Sequence, residues 1–81
     1  MNAVHRITGY DKRSERLALE YAIPDERLSE VRELARVPRE DADAAGSYPL
    51  DPEAASIVGL KIDQPLNVDA YDWFLEPFAG A

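Results

Sequence analysis

Arg16-Leu17-Ala18-Leu19-Glu20-Tyr21-Ala22-Ile23 is the stretch that decides the fold. Leu17, Leu19, Tyr21 and Ile23 recur at period two, with Ala18, Glu20 and Ala22 between them. That alternation predicts a half-buried strand. Upstream, Ala3 to Tyr10 is a second run with β-branched residues. Asp11-Lys12-Arg13-Ser14 separates the two as a polar turn, so together they read as a hairpin. A three-residue loop, Lys12 to Ser14, sets Ile7 opposite Leu19 and His5 opposite Tyr21. A two-residue loop sets Arg6 opposite Leu19 and wastes the apolar face. The three-residue register is therefore expected.

Downstream, Pro24-Asp25-Glu26 opens a helix, since proline and acids suit a helix N-terminus. Leu28, Val31, Leu34 and Ala35 form one apolar stripe, and Pro38 stops the helix near Arg36. Residues 37–47 read as a loop, polar and small from Arg39 to Ser47, and no function is given to 39–47. Tyr48-Pro49-Leu50 returns to the core. Asp51-Pro52-Glu53 restates the helix-start signal, with Asp51 as N-cap and Pro52 at the first helical position. Ala54, Ala55, Ile57 and Val58 fill this second helix, and Gly59 is either its C-cap or an interior glycine. Tyr71 to Glu76 alternates Tyr71, Trp73 and Leu75 with Asp72, Phe74 and Glu76, a third strand that Pro77 should end.

The expected elements are strands near 3–10, 16–23 and 70–76 and helices near 25–36 and 52–60. A right-handed crossover through both helices puts the third strand beside the first and antiparallel to it. The expected fold is α+β: a two-layer ββααβ sandwich, with a three-stranded antiparallel sheet of order 2-1-3 and both helices on one face. Leu17, Leu19, Tyr21, Leu28, Val31, Leu34, Ile57, Tyr71, Trp73 and Leu75 are the expected core.

The chain has 81 residues, which read as a single domain, 1–81. A domain of this size buries about 60% of its unfolded surface, so its stability margin is thin. There is no cysteine, so neither a disulfide nor a thiolate metal site is expected, and a cytoplasmic location follows most simply. No apolar export segment follows Met1 and no run is long enough to span a bilayer, so no membrane association is expected. The net charge of −7 is unevenly placed. Residues 1–40 balance, whereas residues 41–81 carry Lys61 alone against eight carboxylates. Such a surface repels nucleic acid and attracts a basic partner.

Little in the chain is set up for chemistry. His5 is the one histidine and reads as a strand-end residue at the sheet margin. Asp63, Asp69, Asp72 and Glu76 lack the calcium-loop pattern, and Asp41-Ala42-Asp43 is only its nearest imitation. The glycines at 9, 46, 59 and 80 make no phosphate loop. No catalytic, cofactor or metal residue is therefore assigned, and no enzyme activity is expected. One place asks for a partner. If Tyr71, Trp73 and Leu75 face the helices, Phe74 and Phe78 face away, onto the open side of the sheet. Arg6, Glu20, Asp72, Phe74, Glu76 and Phe78 are the expected contact residues there, on a surface expected to lack a cleft.

The segments Ile7-Thr8-Gly9-Tyr10-Asp11-Lys12, Leu19-Glu20-Tyr21, Tyr48-Pro49-Leu50-Asp51 and Tyr71-Asp72-Trp73-Phe74-Leu75-Glu76 carry a resemblance. Through them the chain resembles a family of small acidic bacterial proteins that are a domain of unknown function. In size and acidity such proteins are similar to immunity proteins that neutralise toxins. The resemblance implies no catalytic residue. The expectation is a protein-binding module with an acidic surface, antitoxin-like in character. The alternative is a structural domain that forms a homodimer through the open sheet face.

Overall fold

The structure, a computed structural model, describes residues 4–41, 44 and 46–78. The elements run β1 (Val4–Asp11), β2 (Leu17–Ala22), α1 (Asp25–Leu34), β3 (Tyr48–Leu50), α2 (Pro52–Ile62) and β4 (Tyr71–Phe78). They form an antiparallel sheet of order β2-β1-β4-β3. The α+β class, the two helices and the place of the last strand beside the first are as expected. The strand count is not: the sheet has four strands, and the order of elements is ββαβαβ. Tyr48-Pro49-Leu50 is the added one, an edge strand on β4. Three residues are too few for alternation to register, and a proline is tolerated in a sheet only at such an edge.

Proline at position 77 does not end β4, which continues to Phe78. β3 reaches only as far as Leu75, so Pro77 has a paired strand on one side only, where it faces His5. That is again an edge-like position, where the missing N–H costs little. Ala3, the expected first residue of the opening strand, and the side chain of Phe78 lie outside the described residues.

The hairpin pairs two residues out from the expected register. Ile7 faces Tyr21 and Gly9 faces Leu19. The turn takes four residues, not three: Asp11 N donates to Arg16 O at 2.9 Å and Glu15 N to Asp11 O at 2.8 Å. The Asp11 carboxylate holds it by accepting from the backbone of Arg13 at 2.7 Å and Ser14 at 3.0 Å. Glu15 closes it in the left-handed region at φ 60°. Alone, that extra residue would reverse which side chains face the core. A β-bulge between Gly9 and Tyr10, where Ala18 is the extra residue, adds a second offset and restores the parity. Leu17 is left beyond the bulge, opposite Tyr10, and is 46% exposed rather than core.

Both helices start where the sequence calls for it, α1 after Pro24 as N-cap, while α1 ends at Leu34, short of 36, and α2 runs on to Ile62, past 60. In α2 the Asp51 side chain accepts from Ala54 N at 2.7 Å, and Pro52 occupies the first helical position. Its C-cap is Asp63 at φ 58°, so Gly59 is interior. A Cβ there would stand 2.9 Å from the Gln64 carbonyl oxygen, which explains the glycine: the chain leaving the helix folds back against it. Just past α1, Arg36 turns left-handed at φ 58°, and Val37 N donates to Arg32 O at 3.2 Å, ahead of Pro38.

One core joins the helices to one sheet face: Ile7, Trp73 and Leu75 from the sheet, Val31 and Ala35 from α1 side, and Ala54, Ala55, Val58 and Ile62 from α2. Ile23, Leu50 and Leu66 complete it. Of the expected core, Val31, Trp73 and Leu75 are buried, while Leu19, Tyr21, Leu28, Leu34 and Tyr71 pack partly buried around them. Ile57 is only half-buried. Trp73 donates from Nε1 to Asn67 O at 3.0 Å and stacks on Tyr21 at a centroid distance of 6.1 Å.

Candidate functional site

The other sheet face carries Arg6, Thr8 and Tyr10 from β1, Glu20 from β2 and Asp72, Phe74 and Glu76 from β4. The pairs Arg6–Glu76, Thr8–Phe74, Tyr10–Asp72 and Thr8–Glu20 bring them together. This face is not flat, as the sequence had led one to expect. It contains a pocket of about 350 Å³ lined by Tyr10, Asp11, Glu15, Ser47, Asp72, Phe74 and Glu76.

Glu76 is anchored in it by two side-chain hydroxyls. Its Oε1 accepts hydrogen bonds from Thr8 Oγ1 at 2.5 Å and from Tyr10 Oη at 2.7 Å. Thr8 is fully buried although it sits on the outer face, because Glu76 and its neighbours cover it. Burial raises the Glu76 carboxyl, but the hydrogen bonds from Thr8, Tyr10 and Ser47 outweigh it and hold the group below its ordinary pKa. The same contact pushes the Tyr10 phenol up, since the Glu76 carboxylate favours a protonated donor. The pocket thus presents a fixed anion at neutral pH. Its wall is aromatic: Phe74 meets Tyr10 edge to face, with centroids 5.5 Å apart and planes at 86°. At the rim Lys12 Nζ lies 3.9 Å from Asp72, both side chains being substantially exposed.

Of the contact residues expected from sequence, Asp72, Phe74 and Glu76 line this pocket. Arg6 and Glu20 share the face but are not among its lining residues. Phe78 follows on the same strand, its side chain outside the described residues. Phe74 is half-buried rather than exposed. Sequence reasoning missed Thr8, Tyr10, Asp11, Glu15 and Ser47. The first two were within reach, for they alternate with Ile7 and Gly9 and must share a face with Arg6. Ser47 depends on β3, and Glu15 on the turn.

The loop after α1 is anchored by Asp41, whose Oδ2 accepts from Gly46 N at 2.9 Å and from the Tyr48 hydroxyl. This contact raises the Tyr48 phenol. Ala42, Asp43 and Ala45 lie outside the described residues. His5 sits half-buried at the margin, with Nε2 3.1 Å from Ala44 O. Among the described residues Asp63, Asp69, Asp72 and Glu76 do not gather into a cluster that would hold a metal. No described helix is long and apolar enough to cross a membrane.

No curated protein and no solved structure matches the chain. One family model does, over residues 4–76, from the start of β1 to the pocket glutamate. The chain belongs to that family, Domain of unknown function (DUF7683).

Proposed function

We propose that the domain is a non-catalytic module that binds a basic protein on the open face of its sheet. The observation that carries this reading is the pocket, in which four carboxylates, Asp11, Glu15, Asp72 and Glu76, surround an aromatic wall. Carboxylates steer a cationic partner and phenylalanine supplies apolar contact once it docks. Glu76 is a poor general acid at neutral pH, because its carboxyl is held below the ordinary range. A basic toxin, silenced by complex formation in the manner of an antitoxin, is one partner of this class. Nucleic acid and anionic membrane are disfavoured by the net charge of −7. The absence of cysteine is compatible with a cytoplasmic setting. A homodimer through the same face sets Asp72 and Glu76 against their own copies, which ranks it second.

Photo-crosslinking tests the proposal. A p-benzoylphenylalanine at position 74, in the producing cell, should capture a basic protein in a salt-sensitive manner. The same label at position 56, on the exposed side of α2, should not. Capture of a second copy of the chain would replace the proposal with the homodimer, and an absence of any adduct specific to position 74 would end it.

A further inference from the structure

The chemistry of the pocket narrows its occupant, in a step that rests on the protein-binding reading. We infer that the pocket receives the guanidinium of one arginine side chain from the partner, taken by the Glu76 carboxylate and laid against Phe74. Four features support this assignment. The volume, about 350 Å³, is at the lower end of binding pockets and suits one long side chain. Its charged lining is wholly anionic, so a phosphate or carboxylate ligand is repelled. A carboxylate has about four acceptor positions. Thr8 and Tyr10 both donate to Oε1 of Glu76, which leaves capacity for an incoming donor. Glu15 and Asp72, the latter shared with the exposed Lys12 ammonium 3.9 Å away, add acceptors to the lining, and a guanidinium is all donor, five N–H groups in one plane.

Geometry favours arginine over lysine. The Phe74 and Tyr10 rings lie edge to face and both line the pocket, so an aromatic ring stands beside the carboxylates. A planar cation stacks on such a ring while its edge bonds carboxylates, whereas an ammonium is a compact, strongly hydrated point charge. Glu76 is also pinned before any ligand arrives, so binding orders no further carboxylate rotamer.

Titration of the ¹⁵N-labelled full chain with N-acetyl-arginine methylamide, and separately with its lysine counterpart, tests the inference at low ionic strength. Arginine should produce saturable amide shifts at Tyr10, Ser47 and residues 72–76, with an apparent affinity about fivefold above lysine. Added salt should weaken both. Glu76→Gln should abolish the arginine shifts. Asp72→Asn, at an exposed position that leaves the fold alone, should weaken them severalfold. The inference is overturned if arginine moves no pocket amide, if lysine does as well, or if Glu76→Gln and Asp72→Asn both leave the shifts unchanged. The two proposals fail separately. A partner crosslinked at position 74 together with no arginine response removes the guanidinium pocket and keeps the module. Saturable arginine binding together with no protein adduct does the reverse.

Discussion

The indole of Trp73 lies directly over Gly9: a Cβ at residue 9 would stand 2.7 Å from Cζ3 and 2.8 Å from Cη2 of the ring. The two residues face each other across β1 and β4. The tryptophan cannot retreat freely, being stacked on Tyr21 and met edge-on by Tyr71 with centroids 5.7 Å apart. Gly9→Ala should therefore destabilise the domain by about 1–3 kcal/mol, by overpacking, despite adding a better strand former. Urea unfolding of the variant measures this, and an unchanged midpoint would mean the ring has room to move.

Neighbouring residues on β4 should respond unequally to truncation. Trp73 is 3% exposed, and Trp73→Ala should cost about 3–5 kcal/mol, much of what a domain of this size has. Phe74→Ser loses a half-buried ring and its edge contact with Tyr10, and should cost about 1–2 kcal/mol while keeping the fold. Thermal melts followed by circular dichroism separate the two. Comparable losses at both positions would place Phe74 in the core.

Stability should fall in acid as Glu76 takes up its proton. Its folded pKa lies below the unfolded value of about 4.3. Its contribution is thus fully present above that value and is lost as pH falls through the folded one. Asp11, lowered by the backbone N–H groups of Ser14 and Arg13, acts in the same direction. Thr8→Val removes a donor to Glu76, so Glu76 should titrate at a higher pH and acid unfolding should begin earlier. Carbon-detected NMR titration of the Glu76 carboxyl reads the change; an identical curve in the variant would show that Thr8 does not hold the anion. Tyr10 works at the opposite limit. Its raised pKa makes its contribution full below about pH 10 and lost as pH climbs through the folded value.

Periodicity made much of this legible. The alternation in Leu17 to Ile23 and Tyr71 to Glu76 identified two strands, and Asp51-Pro52 placed the start of α2 to the residue. What escaped was information that resides in pairing. The offset between Ile7 and Tyr21 arises from a turn and a bulge acting together, and only the assembled hairpin reveals either. β3 exists because β4 offers it an edge. The pocket follows from both, since it draws Glu15 from the turn and Ser47 from the approach to β3. Phe74 and Glu76 were legible as neighbours on one face. The buried hydroxyl of Thr8 beneath the glutamate was not, because threonine in a strand is ordinary.

The two margins of the sheet are unequal, and this limits how copies of the chain can join. β2 offers a six-residue margin, whereas β3 is a three-residue strand with a proline at its centre. A short, proline-bearing margin is a poor template for an incoming strand. Growth by strand addition therefore has one usable side. Two molecules that met through β2 would spend that side on each other and leave β3 at both outer limits. The assembly would close as a pair, and the chain is thereby protected against fibre formation through its native sheet.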